Sequence, residues 1–83
     1  MKLRYFAWLR QRIGRAEEEF PLPDSVGTVG ALLAFLAARG GGYAAALARP
    51  DLVRVAVNHD YAGADRPIAD QDEVALFPPV TGG

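Results

Sequence analysis

Apolar residues recur along the chain with two different periods, and the switches between them mark out the elements. In Lys2–Leu9, Leu3, Tyr5, Ala7 and Leu9 alternate with Arg4, Phe6 and Trp8, the period of two expected of a strand. The second of those faces is only half polar. Gly14 then predicts a turn. Glu17–Leu22 reads as a short second strand with Glu18, Phe20 and Leu22 on one side. Pro21 within it points to a sheet edge, because proline has no N–H to give to a ladder. Pro23-Asp24-Ser25 is turn chemistry. Thr28 supplies an N-cap oxygen, and Val29, Leu32, Leu33 and Leu36 repeat at the spacing of one buried helical stripe. They predict a helix running to Arg39, ended by Gly40-Gly41-Gly42. A short Ala-rich turn over Tyr43–Ala48 follows, closed by Pro50-Asp51.

Val53, Val55 and Val57 alternate with Arg54 and Ala56, a half-buried strand. Asn58-His59-Asp60 predicts a turn, Tyr61-Ala62 a brief return strand, and residues 67–72 a loop. Glu73–Phe77 is the last strand, with Val74 and Leu76 inward and Ala75 and Phe77 outward. Pro78-Pro79 then stops helix and ladder alike. The order is β-β-α-β-(β)-β. It predicts an α+β fold in two layers, a mixed sheet of four to five strands packed on one main helix. The first and last strands are expected to pair in the middle of the sheet. By alternation Phe6, Trp8 and Phe77 share the outer face, with Tyr61 beside them, a concentration of exposed aromatics that reads as a docking surface. The competing reading is that a loop or a second helix covers them.

Composition narrows the chemistry. The chain has 83 residues, 51% hydrophobic and 23% charged, enough for one core and unlike a disordered chain. The absence of cysteine excludes a disulfide scaffold, a zinc ribbon and a thiol nucleophile. A net charge of −1 gives no global attraction to nucleic acid or anionic membrane. No apolar run approaches the roughly 18 residues of a membrane span, and the charged N-terminus is no signal peptide, so a cytoplasmic domain is expected. Charge is uneven. Residues 1–15 carry Lys2, Arg4, Arg10, Arg12 and Arg15 and no acid, whereas Asp60, Asp65, Asp70, Asp72 and Glu73 crowd the C-terminal part. Two neighbouring strands that attract each other, or an acidic face for a basic partner, both fit this pattern.

No Rossmann fingerprint, P-loop or nucleophile elbow is present. Gly40–Gly42 follows a helix rather than opening one, against a phosphate loop. Adjacent His59 and Asp60 point to opposite faces if extended, against an acid–base pair. Asp70, Asp72 and Glu73 lack the spacing of a calcium loop. The remaining chemistry lies at the end of the chain, Pro78-Pro79-Val80-Thr81-Gly82-Gly83. Proline sets the direction of exit. Glycine has no Cβ, so Gly82-Gly83 can enter a channel too narrow for side chains and present an unhindered carboxylate. Such an end suits gripping and activation by another protein.

Together, Leu3–Leu9, Thr28-Val29 before the Leu-rich helix, Val55–Asn58 and above all Asp70–Gly83 (DQDEVALFPPVTGG) resemble the family of molybdopterin synthase small subunits, ubiquitin-like sulfur carriers with the β-grasp fold. Gln71, where that family commonly has glycine, and the Gly/Ala-rich Gly40–Ala48 depart from it. The resemblance implies a β-grasp domain over residues 1–78 and a flexible tail over 79–83. It implies a carrier whose Gly83 carboxylate, with Gly82 beside it, is adenylated and converted to a thiocarboxylate. ATP would be used by a ubiquitin-activating-type adenylating enzyme, and no cofactor or metal would be bound by this chain. The second partner implied is the synthase large subunit, facing Phe6, Tyr61 and Phe77 and receiving Pro78, Pro79, Val80 and Thr81 with the tail. There the sulfur passes to a cyclic pyranopterin monophosphate. A sister carrier for thiamine, cysteine or tRNA thiolation, a protein-conjugating carrier, and a plain β-grasp interaction module share the same fold and ending.

Overall fold

A computed structural model of the chain describes residues 1–79. Its strands are β1 (Lys2–Tyr5), β2 (Glu17–Glu19), β3 (Arg54–Val57), β4 (Asp60–Tyr61) and β5 (Glu73–Phe77). Three helices are α1 (Ala7–Ile13), α2 (Val29–Ala37) and α3 (Gly41–Ala46), with a 3-10 turn at Pro50–Leu52. The strands form one mixed sheet in the order β2-β1-β5-β3-β4. β1 and β5 run parallel at its centre, and the other neighbours are antiparallel. The α+β architecture and the central pairing of first and last strands follow the sequence pattern.

The inward residues of the strands make the core. Leu3, Tyr5, Val55, Val57, Val74 and Leu76 are buried against Val29, Leu32 and Leu36 of α2. Thr28 caps α2 as its sequence predicts, accepting from the Ala31 N–H at 3.2 Å. The Val29 and Gly30 amides donate to the carbonyls of Arg66 and Ala64, so the loop before β5 satisfies helix donors that have no partner inside the helix. Asn58 and His59 both take positive φ, 50° and 72°, the pair of left-handed residues that a two-residue hairpin needs.

Three expectations are corrected. The first strand stops at Tyr5 instead of Leu9. At Ala7 φ is 53°, the chain turns off the sheet, and residues 7–13 become α1, closed by left-handed Gly14 with its N–H on the Arg10 carbonyl at 2.8 Å. The second strand ends at Glu19, so Pro21 lies beyond it. The glycine run does more than end α2. Gly40 and Gly41, both at positive φ, start a further helix, and a Cβ on Gly42 would run into the Arg12 carbonyl. Glycine there lets α3 lie directly on the end of α1.

A polar clasp holds this corner. Glu18, inward on β2, accepts from the Tyr5 hydroxyl at 2.6 Å and from the Tyr43 hydroxyl at 2.5 Å. The Arg39 guanidinium donates to its other oxygen at 2.9 Å, and Arg15 lies 3.6 Å from it. Arg39 in turn lies over the rings of Phe20, Phe35 and Tyr43, 4.6–5.2 Å from their centres. Burial would raise the Glu18 pKa, but the hydrogen bonds from Tyr43, Tyr5 and Arg39 outweigh it and hold the carboxyl below its ordinary value. Burial, then the hydrogen bond to Glu18, pushes the Tyr5 hydroxyl far up.

Candidate functional site

The outer face of the sheet is built by register. Arg4, Ala75, Ala56 and Tyr61 lie side by side across β1, β5, β3 and β4. One step toward the exit of β5, Phe77 pairs with Arg54, and the Phe6 N–H donates to the Leu76 carbonyl at 3.1 Å, which brings Phe6 alongside Phe77. The rings of Tyr61 and Phe77 stack obliquely, centres 5.8 Å apart. Tyr61 is 77% and Phe6 41% exposed, and Phe77 is half-buried. No element among the described residues covers this patch, and Phe6, Tyr61 and Phe77 are brought together as expected.

Trp8 is not part of it. Because α1 begins at Ala7, the indole is half-buried on the helix, with Arg12 over its ring at 5.8 Å. It lines a different hollow, with Ala45, Ala46, Arg49 and Leu52. The helical spacing of Leu9 and Ile13, with Gly14 as a C-terminal stop, is the signal for α1.

Beside the Phe77–Tyr61 pair lies a hollow of about 340 Å³, lined by Arg54, Val55, Tyr61, Ala62 and Phe77. Arg54 stands out only once the register is known, because nothing in the linear sequence sets it opposite Phe77. Pro78 and Pro79 follow, both half-buried. The expected reacting residue Gly83, with Val80, Thr81 and Gly82, lies outside the described residues.

The acidic C-terminal segment is largely occupied by its own fold. Asp70 accepts from the Leu22 N–H at 2.7 Å and from the N-terminal ammonium at 3.2 Å, and both hold its carboxyl below the ordinary range. Asp72 is lowered by bonds from the Asn58 side chain and the Ala69 N–H. On the basic side, Arg4 and Arg15 approach Glu17 and Glu18. The charge asymmetry is thus partly spent inside the domain. His59 sits on its hairpin turn 3.8 Å from Glu73, with no nucleophile at hand. Among the described residues no cluster of His, Asp or Glu is arranged to hold a metal, and no helix is long and apolar enough to cross a membrane.

A five-stranded sheet with parallel terminal strands at its centre, helices on one face and bare aromatics on the other defines a ubiquitin-like β-grasp protein. The ThiS family model matches residues 3–83, and the chain belongs to that family. It is 40% identical to the molybdopterin synthase sulfur carrier subunit of Escherichia coli (strain K12) over 100% of this chain and 99% of that protein. It is 37% identical to the protein of the same name from Haemophilus influenzae, covering 95% and 94% of the two chains. Among solved structures, SAMP1 from Haloferax volcanii superposes with a TM-score of 0.74 at 32% identity, covering 100% of this chain and 98% of that one.

Proposed function

We propose that this chain is the sulfur carrier subunit of a molybdopterin synthase and that Gly83 carries the sulfur. The end-to-end likeness to two carrier subunits of that name supports the reading. The observation that carries it is the uncovered patch of Phe6, Tyr61 and Phe77 at the exit of the strand that leads to Gly82-Gly83.

A carboxylate is a poor electrophile. On the adenylating partner the Gly83 carboxylate attacks the α-phosphate of ATP, pyrophosphate leaves, and the acyl-adenylate becomes open to substitution. A sulfur donor displaces AMP at the acyl carbon, leaving a thiocarboxylate. The large subunit then seats on the aromatic patch and takes in Pro78–Gly83, where the sulfur is transferred to the pterin and the carboxylate is regenerated with water. This chain's residues dock and present; ATP and pterin belong to the partners' sites. Holding the reacting carbon on a short, side-chain-poor tail matters because small misplacement of a reacting centre can cost about 100-fold.

The test is mass analysis of the C-terminal peptide after co-expression with an adenylating enzyme and a sulfur source. The expected result is a mass gain equal to exchange of one oxygen for sulfur on Gly83, and single-turnover pterin conversion by that carrier with the large subunit. A carrier lacking Gly83 that still delivers sulfur at the normal rate overturns the reading. The likeness to SAMP1, which is named a small archaeal modifier protein, favours a second one, conjugation through Gly83. Isopeptide-linked Gly-Gly remnants on lysines of other proteins, with no thiocarboxylate, would select it.

A further inference from the structure

The cations of the outer face are unequally matched. On β1, Lys2 lies in register between Glu19 and Glu73, and Arg4 lies beside Glu17 at 3.9 Å and over the Phe6 ring at 5.4 Å. Arg54 has no such partner: among the described residues it forms no ion pair. Asp51, the nearest acid in sequence, holds Arg49 through two bonds of 3.1 and 2.9 Å. Arg54 donates one guanidinium N–H to the Asp51 backbone carbonyl at 3.3 Å, and beyond that its charge acts on the Asp51 carboxylate only at a distance. Arg54 is exposed, pairs across the ladder with Phe77, and lines the same hollow as Phe77, Tyr61, Val55 and Ala62.

We propose that this hollow receives a glutamate side chain from the large subunit, its methylenes against the walls formed by Phe77 and Tyr61 and its carboxylate on Arg54. The proposal rests on the carrier reading above. Three features decide the occupant. The walls are apolar or aromatic, which suits an aliphatic stem. The edge carries a guanidinium fork, which matches a planar carboxylate through two parallel hydrogen bonds better than any other side-chain group. A purely apolar knob would desolvate Arg54 with nothing in exchange, and a basic one would repel it. Arg54 faces the residue immediately before Pro78, so this pair would also fix where the tail begins its path into the partner. Arg54 is then a specificity residue, separating a large subunit with an acid at that point from one without.

Titration calorimetry of the carrier against the synthase large subunit, at low and at high salt, tests this. Arg54→Glu should weaken binding roughly tenfold or more at low salt, and the gap should narrow as salt screens the repulsion. Arg54→Lys should fall between, because an ammonium makes a point contact where the fork makes two. Reversing the facing glutamate to lysine should restore affinity to Arg54→Glu and to no other variant. The thermal melt of Arg54→Glu should match that of the parent, since the side chain is outside the core. Phe77→Ala separates the two levels of inference. If Phe77→Ala weakens the complex and Arg54→Glu does not, the glutamate pairing is wrong and the docking face stands. If neither does, the docking face falls and the pairing with it. Sedimentation showing that the carrier alone dimerises through this face, broken by Arg54→Glu, would make a second copy the occupant and also overturn the proposal.

Discussion

The two faces of the same three central strands differ in what their apolar residues are for. Inward, Leu3, Val57, Val74 and Leu76 are fully buried against α2. Outward, Phe77 on β5 with Phe6 and Tyr61 beside it forms an apolar surface that nothing in the described chain covers, and Ala56 and Ala75 floor it. Backbone pairing is shared by both faces, so the difference is in side chains alone. The inner face supplies the transfer free energy of folding. The outer face withholds apolar area from folding and leaves it for association. A strand that is apolar on both sides, with only one side packed, is therefore a sign of a binding surface within a stable domain.

The sharpest way to break this contrast is to truncate one side chain on each face. Leu76→Ala removes fully buried methyl groups and should cost about 2–5 kcal/mol of unfolding free energy in urea titrations. That is a large share of the roughly 5–15 kcal/mol typical of a small domain. If Leu76→Ala melts like the parent, the inner face is not the core described. Next comes the clasp at the edge of that face. Glu18→Ala strips the partner from two tyrosine hydroxyls and from Arg39, and should cost about 1–3 kcal/mol. Its signature is in pH. The Glu18 carboxyl is held below its ordinary value near 4.5, so its stabilisation is complete above that pH. It is lost as pH falls through the unfolded and then the folded value. Parent and Glu18→Ala melting curves should thus converge in acid and separate above it; a gap unchanged with pH would exclude ionised Glu18 as the cause.

On the outer face the effects should invert. Phe77→Ala should cost about 1 kcal/mol or less of stability, since its ring is half-exposed, yet weaken the large-subunit complex by about 2 kcal/mol or more. Paired melts and calorimetry read both numbers, and a stability loss exceeding the binding loss would make Phe77 a core residue. Deleting Gly83 is the limiting case. No measurable change in unfolding is expected, because a glycine has no side chain to bury, while sulfur transfer should disappear.

What was legible in the linear chain is what depends on local period and local chemistry. Thr28 before Val29, Leu32 and Leu36 identifies a capped helix with one buried stripe. Val74 and Leu76 between Ala75 and Phe77 identify a strand with a packed side and a bare one. Residues 7–9 read as a continuation of the first strand because Ala7, Trp8 and Leu9 satisfy a strand and a helix over so short a stretch. The sheet resolves the conflict: β5 ends at Phe77, so a strand continuing past Phe6 would have no parallel partner, whereas a helix satisfies its own backbone. Tertiary structure alone decided the rest. Glu18 meets Tyr5, Arg39 and Tyr43, and Arg54 meets Phe77, across separations that no periodicity spans. Sequence period selects which side of an element is apolar; only strand order and register decide which of those sides face one another and which are left to a partner.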